Sequence, residues 1–457
     1  MALNDELISM RDYFRSRKTY PVSFRKQQLK KFKAQVIRFE KQIYDALFTD
    51  LGKSKEECWA TENGFLISEI NHTLKHLDDW SDDQYVSTNL LNFPSTSFVM
   101  QEPLGVVLII APWNYPFQLM LTPLVAAIAA GNCAVIKPSE LAPATENIIR
   151  QIISESFDTN YVKMVAGEGG KVIPAMIENF QFDHIFYTGS TQVGKLVYKM
   201  AAEKLIPVTL ELGGKSPVLI ETDADIKIAA RRIAMAKFSN AGQMCVAPDY
   251  VLVPRSMEVS FIDLLKKQIH TFFGDDVSLS YDYGKIINAK HFDRLVSYLD
   301  DGEIVAGGRH DRTKLFFEPT IMHNIRPGAA VMEDEIFGPI LPVISYQTRE
   351  EALEIIEKHK NPLAFYIFSS SKKNQRHWLI QVQAGGVCIN SAAIHLTNPS
   401  LPFGGRGNSG TGQYHGKFGF DTFTHPKAVL KVPIWPDPAL KYSSYKGKLQ
   451  MFKKIIR

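Results

Sequence analysis

Residues 104–137 read LGVVLIIAPWNYPFQLMLTPLVAAIAAGNCAVIK. The stretch opens on the apolar run LGVVLII at 104–110 and closes on CAVIK at 133–137. Two more such runs follow, VKMVAG at 162–167 and DHIFYTG at 183–189, alternating with helical patterns such as Ala142–Ser156 and Thr191–Glu203. Strands that are apolar on both faces must be covered on both faces, and strands separated by helices pair in parallel through right-handed crossovers. The stretch therefore predicts an α/β fold built on a doubly wound parallel sheet.

Upstream, Leu29, Phe32, Val36, Phe39, Ile43 and Leu47 recur every three or four positions, and Ile67, Ile70, Leu74 and Leu77 resume the pattern after Gly52. Residues 25–80 are expected to be helical. Downstream, a second α/β unit begins near Glu211, with a strand at Pro217–Ile220, a helix over Asp225–Phe238 and an apolar run at Tyr250–Pro254. If residues 207–215 join the two units, the Glu-Leu-Gly-Gly segment lies in the cleft between them, where ligands bind.

Composition sets the class. At 457 residues, 45% hydrophobic and 22% charged, the chain is long enough for a large core and unlike a disordered or disulfide-stapled protein. Its formal charge is +4, yet residues 439–457 hold six Lys or Arg and no Asp or Glu, so nothing suggests a nucleic-acid partner. Cys58, Cys133, Cys245 and Cys388 lie far apart with no CxxC pair, which argues against disulfides and against a metal site. The N-terminus, MALNDELISMRDYF, lacks the apolar core of an export signal, and the apolar stretch 117–136 is broken by Gln118, Pro123, Gly131 and Asn132. A cytoplasmic location is expected.

Several segments carry chemistry. In FYTGSTQVG at 186–194, Gly189 and Gly194 have the outer spacing of a dinucleotide fingerprint, with Ser190 between them and Thr191 where the middle glycine would stand; the other reading is an ordinary strand-to-helix turn. In IKPSE at 136–140, Lys137 and Glu140 follow a strand and suit the two hydroxyls of an adenosine ribose, or else form a solvated charge pair in a loop. A carboxylate there leans toward NAD over NADP. Glu211 in LELGGKSP sits among apolar residues that would raise its pKa toward that of a general base. Asn114 in APWNYPF could aim its amide at an oxyanion, or serve as a turn residue. Cys245 lies in GQMCVAPDY at 242–250; a lone cysteine is more often an inert hydrophobe than a nucleophile, so context decides.

Taken in order, APWNYPF, IKPSE, FYTGSTQVG, LELGGKSP, GQMCVAPDY, DEIFGPILP and LPFGGRGNSG closely resemble the NAD(P)-dependent aldehyde dehydrogenase superfamily. The ending YHGKFGFDTFTH at 414–425 is similar to its class 3 and fatty aldehyde branch. The resemblance implies that Cys245 is the nucleophile, Glu211 the general base, and Asn114 the amide that holds the oxyanion with the Cys245 N–H. Gly189, Ser190 and Gly194 then form the cofactor turn, Lys137 and Glu140 the ribose contacts, Glu335 the nicotinamide-ribose contact, and Trp113 and Phe337 the surroundings of the cofactor.

The same resemblance implies two doubly wound parallel-sheet domains, a Rossmann-like cofactor domain and a catalytic domain, plus a small β oligomerisation element. The expected division runs from a helical part at 1–80, through a cofactor domain at 81–210 with a hairpin near 90–103, to a catalytic domain at 211–395. Residues 396–457 return to the cofactor domain and supply an oligomerisation strand after Thr424 and the basic tail. The implied partners are an aldehyde and a second copy of the chain. Two positions depart from the family pattern: Met244 stands where Thr is common, and Arg406 where a small apolar residue often follows PFGG.

The expected reaction is oxidation of an aldehyde to a carboxylic acid through a thiohemiacetal and a thioester on Cys245, with NAD, or alternatively NADP, as acceptor. Medium- or long-chain aliphatic and aromatic aldehydes suit the aromatic segment Trp113–Phe117. A CoA-acylating enzyme is the alternative, disfavoured by a base at Glu211, and a catalytically silent protein on the same fold is another. In the tail, Leu449, Phe452, Ile455 and Ile456 fall at helix-like spacing among lysines, consistent with a frayed solvated end or with weak contact to an anionic membrane surface.

Overall fold

The computed structural model describes residues 3–437 and 441–456. Its first sheet has six strands, ordered Gly410–Thr411, Val208–Glu211, His184–Thr188, Val106–Ile110, Cys133–Lys137 and Val162–Met164. All pairs are parallel except the short 410–411 strand against 208–211. The strands 106–110, 133–137 and 184–188 are buried at every position, as expected for a sheet covered on both faces.

From 106–110 the chain steps outward to 133–137 and 162–164, then returns to 184–188 and 208–211 on the other side. The strand order reverses between 106–110 and 184–188, and the crevice beyond the carboxyl ends of such a pair is where open α/β sheets bind ligands. Segments 111–114 and 189–190 leave the sheet at that point.

The second sheet has seven strands: Glu303–Ala306, Thr320–His323, Ile340–Tyr346, Tyr250–Pro254, Pro217–Ile220, Ala364–Phe368 and Gly386–Ile389. Only 303–306 runs antiparallel. A third sheet pairs Gln84–Val86 and Thr424–Lys431 with the two edges of Thr96–Pro103, antiparallel throughout. The hairpin expected near 90–103 therefore joins 84–86 to 96–103, and the stretch after Thr424 is its third strand.

The apolar stretch 117–136 is a core element. Helix Gln118–Ala130 is buried at every residue and ends on Gly131, whose φ of 89° closes the turn into strand 133–137. Asn132 accepts the Gly105 N–H at 2.8 Å and donates to the Phe423 carbonyl at 2.8 Å, tying the returning C-terminal segment to the first sheet. Among the described residues no helix is long and apolar enough to cross a membrane. The basic tail closes on a helix over Leu449–Ile455; the side chain of Ile455 and residue Arg457 lie outside the described residues.

The helical prelude has helices Val22–Arg38, Glu40–Leu51 and Gly64–Ser81, with one irregularity invisible to periodicity. Residues Trp59–Asn63 form a π-helical turn. Such turns insert one residue into a helix and re-aim its side chains, often at functional sites. Gly64 follows it because a Cβ there would sit 2.4 Å from the Trp59 carbonyl oxygen.

Candidate active site

The loop before strand 250–254 carries Cys245 on a backbone that few residues tolerate. Asn240, Ala241 and Gly242 are all left-handed, at φ 50°, 50° and 74°. For the two non-glycine residues that conformation costs roughly 1–2 kcal/mol each. Gln243 offsets it by donating to the Asn240 and Lys285 carbonyls, both at 3.0 Å, and by accepting the Ile287 N–H at 3.0 Å. Gly242 packs against the DEIFGP segment so closely that a Cβ would lie 2.3 Å from the Gly338 oxygen.

Asn114 reaches this loop from the first sheet. Its amide Nδ2 donates to the Gln243 carbonyl at 3.0 Å, two residues before Cys245, and its Oδ1 is buried without a partner. An amide nitrogen has two hydrogens, so the second is left for another acceptor.

Glu211 ends strand 208–211 and is 3% exposed, with both carboxylate oxygens buried and unpartnered. Burial pushes its carboxyl well above the usual carboxylate range, as its apolar sequence context predicted. Glu335, half-buried, lies against Gly213, and burial followed by the charge of Asp249 pushes it up to about 8. The half-buried Cys245 thiol is raised by burial, then by Glu335 and Glu211. The thiol is thus within electrostatic reach of both carboxyl groups.

Several cofactor candidates follow the carboxyl ends of strands 106–110, 133–137 and 184–188, at or beside the strand-order reversal. The Ser190 side chain caps helix Thr191–Ala202, accepting the Val193 N–H at 3.4 Å. At Gly194 a Cβ would lie 2.6 Å from Leu212 Cδ2, so this glycine lets the helix pack on the strand beside it. Lys137 is 2% exposed and paired with Glu140, whose other oxygen accepts the Gly169 N–H at 2.9 Å. The lysine end of the pair is buried and the carboxylate end is exposed. Trp113 meets Phe337 edge-on at 5.3 Å between ring centres, with His291 at 5.0 Å on the Trp113 ring. Met244 is half-buried against the core, whereas Arg406 is exposed in a turn closed by the Ser409 hydroxyl.

Motif reading passed over two buried ion pairs. Lys215 pairs with Asp249 at 2.5 Å and donates to the carbonyls of Val331 and Asp334, while Asp249 accepts the Ile336 N–H at 3.0 Å. Both residues lie inside quoted motifs, GGKSP and VAPDY, and together they pin the Glu335 segment to the Glu211 segment. The second pair, Lys53 with Glu62 at 2.6 Å, is fully buried and carried no motif signal.

The profile of the aldehyde dehydrogenase family matches residues 5–429. The chain belongs to the aldehyde dehydrogenase family. It is 45% identical to the 4,4'-diaponeurosporen-aldehyde dehydrogenase of Staphylococcus aureus (strain NCTC 8325 / PS 47) over 97% of each chain. It is 41% identical to the dimeric NADP-preferring aldehyde dehydrogenase of Rattus norvegicus, over 96% of this chain and 97% of that one. A solved structure, the substrate-bound state of Staphylococcus aureus AldH, superposes with a TM-score of 0.98 at 43% identity and covers 100% of both chains. As a family member the protein is an oxidoreductase that oxidises an aldehyde with NAD or NADP through cysteine chemistry. The expected α/β architecture of a Rossmann-like sheet and a catalytic sheet is that of its structural relatives.

Proposed function

We propose that Cys245 is the nucleophile, Glu211 the base that activates water, and Asn114 an oxyanion donor in oxidation of apolar aldehydes to carboxylic acids. The observation that carries this is the buried, unpartnered Glu211 carboxyl within electrostatic reach of the Cys245 thiol. The Cys245 thiol gives up its proton to solvent, its sulfur bonds to the carbonyl carbon, and the electron pair of the C=O bond moves to oxygen, where Asn114 and the Cys245 N–H receive the charge. NAD(P), when bound, would supply the hydride acceptor; loss of hydride from that carbon leaves a thioester on Cys245. Glu211 takes a proton from water, the water oxygen attacks the thioester, and the C–S bond breaks to release the acid.

Residues of the crevice fit the dinucleotide. Gly189, Ser190 and Gly194 shape its turn, Lys137 and Glu140 offer ribose contacts, and Glu335, Trp113 and Phe337 surround the end nearest the thiol. The Glu140 carboxylate favours a 2′-hydroxyl over a phosphate, hence NAD over NADP.

We assign the aldehyde entrance to an apolar-walled cavity on the surface. A cavity of about 250 Å³ opens between the π-helical turn and residues 397–399, with Trp59, Phe65 and Pro399 in its walls and Glu69 beside them. From Phe65, ring contacts run to His415 at 5.5 Å and on to Tyr414 at 4.2 Å. The Tyr414 phenol is raised by burial and then by the charges of Glu211 and Cys245. Medium- or long-chain aliphatic and aromatic aldehydes fit this mouth, in line with a relative named for 4,4'-diaponeurosporen-aldehyde.

Strand 84–86 and the connection that follows it expose Tyr85 and Phe93 at 71% and 69%, which a second copy would cover. Four free cysteines fit a reducing cytoplasm. The basic tail is read as a solvated end with weak contact at most to an anionic membrane.

Glu211→Gln tests the reading. It is expected to release one equivalent of reduced nicotinamide per subunit and then stall as the thioester, detectable by intact mass. Steady turnover at the parent rate would place the base elsewhere, and transfer of the acyl group to added CoA in the parent protein would favour the acylating reaction.

A further inference from the structure

Asn114 is held from behind. Its backbone carbonyl accepts the Lys53 ammonium at 3.1 Å and the Asn240 side-chain amide at 2.8 Å. Lys53 uses its other donors on Glu62 Oε1 at 2.6 Å and on the face of Tyr115, whose ring centre lies 3.8 Å away. Glu62 turns its second oxygen to the N–H of Gln118 at 2.9 Å, at the start of helix Gln118–Ala130. Neither side chain of the pair is exposed at all.

The two partners lie outside the segments that carry Asn114, Glu211 and Cys245. Lys53 follows the end of helix Glu40–Leu51, and Glu62 lies in the π-helical turn Trp59–Asn63. The extra residue of that turn changes where Glu62 points, and here it points into the core beneath the 111–118 segment. Replacing a buried ion pair by apolar groups of the same volume is often neutral or stabilising, so stability alone is a poor account of this one.

We propose that the Lys53–Glu62 pair is a positioning device for the oxyanion site: it fixes the Asn114 backbone so that the amide Nδ2 faces the Cys245 loop with one hydrogen on Gln243 and one free. Asn240, which donates to both the Asn114 and Gln243 carbonyls, locks the same two segments from the other side. Preorganised donors are effective because no reorganisation is needed as the charge develops. The assignment rests on Asn114 being the oxyanion donor.

The test is a double-mutant cycle on kcat in the full-length enzyme. Lys53→Met keeps the apolar stem and removes the ammonium. It is expected to lower kcat about 100-fold, on the scale of losing one oxyanion donor, with KM for aldehyde and NAD nearly unchanged. Added to Asn114→Ala, Lys53→Met should cost no more than about threefold further, because both changes act through one amide. Losses that multiply would overturn the proposal, as would an unimpaired Lys53→Met enzyme.

If Lys53→Met yields too little folded protein, Lys53→Met/Glu62→Gln removes both charges without leaving either one buried and unpaired. A melting temperature near that of the parent with the kcat deficit retained is the expected result. Recovery of kcat together with the melting temperature would show that the pair serves the fold only. Full activity in Asn114→Ala would remove the oxyanion reading and this proposal with it; an impaired Asn114→Ala beside a normal Lys53→Met would remove the proposal alone.

Discussion

The N–H of Gly189 donates to the carbonyl of Glu211 at 3.0 Å, so the turn assigned to the cofactor and the residue assigned as base share a backbone hydrogen bond. The same strand end pairs Glu211 with Gly410 on its other side, and the next residue, Leu212, donates to the Ser409 carbonyl at 3.0 Å. A shift in the turn is therefore transmitted to the base.

Gly189→Val tests that link. Its Cβ would lie 2.4 Å from the Tyr187 hydroxyl, which now donates to the Ser190 carbonyl. The variant is expected to raise KM for NAD by about tenfold, a loss near 1.4 kcal/mol, and to slow thioester hydrolysis as well. A change in KM alone, with hydrolysis in single turnover untouched, would show the two functions to be independent.

Cys245→Ser should abolish aldehyde oxidation, since a hydroxyl ionises far less readily than a thiol in the same pocket. Nicotinamide reduction measured with an aldehyde panel reads this directly, and parent-level turnover would remove Cys245 from the reaction.

The raised Glu211 carboxyl makes the hydrolysis step pH-dependent. Only the ionised form accepts a proton from water, so the deacylation rate should climb as pH rises toward the elevated Glu211 pKa. Quenched-flow measurement of acyl-enzyme decay should show this limb in the parent and its absence in Glu211→Gln.

The same shift predicts an effect on stability. A carboxyl whose pKa is raised on folding gives no penalty below its unfolded pKa near 4.5, then destabilises the folded state as pH rises and the unfolded chain ionises first. Glu211→Gln cannot ionise. Its melting temperature should match the parent's at pH 4 and exceed it increasingly toward pH 8; a gap that is constant with pH would contradict the assigned shift.

Gly64→Ala should unsettle the π-helical turn, because the added methyl meets the Trp59 carbonyl oxygen at 2.4 Å and its ring at 2.9 Å. A loss of about 1–3 kcal/mol in denaturant unfolding is expected, accompanied by a raised KM for long-chain aldehydes as the mouth changes shape. Parent-like values of both would mean that the turn accommodates a side chain.

Much of this was legible in the sequence because parallel strands buried on both faces announce themselves as apolar runs. Val106–Ile110, Cys133–Lys137 and His184–Thr188 fall inside the runs that predicted them. VKMVAG is the instructive exception: only Val162–Met164 joins the sheet, and Gly167 at φ 123° turns the chain away. Glu211 stood out through its apolar context, and burial does raise its carboxyl; Cys245 was singled out only by the order of the motifs around it. Lys53 and Glu62 gave no such signal. Their pairing depends on a π-turn that helical periodicity cannot reveal and on a carbonyl 61 residues away from Lys53. Lys215 and Asp249 were within quoted motifs, but their roles come from the loop they hold, which lies far along the chain.

The third sheet sets an order of events for a chain emerging from the ribosome. Strand Thr96–Pro103 pairs along its full length with Thr424–Lys431, so most of the protein must be synthesised before that edge finds its neighbour. Closing so long a loop is slow compared with forming nearby helices. Throughout the interval an eight-residue strand lies open to intermolecular pairing, which makes truncated or stalled chains of this enzyme the species most prone to aggregate.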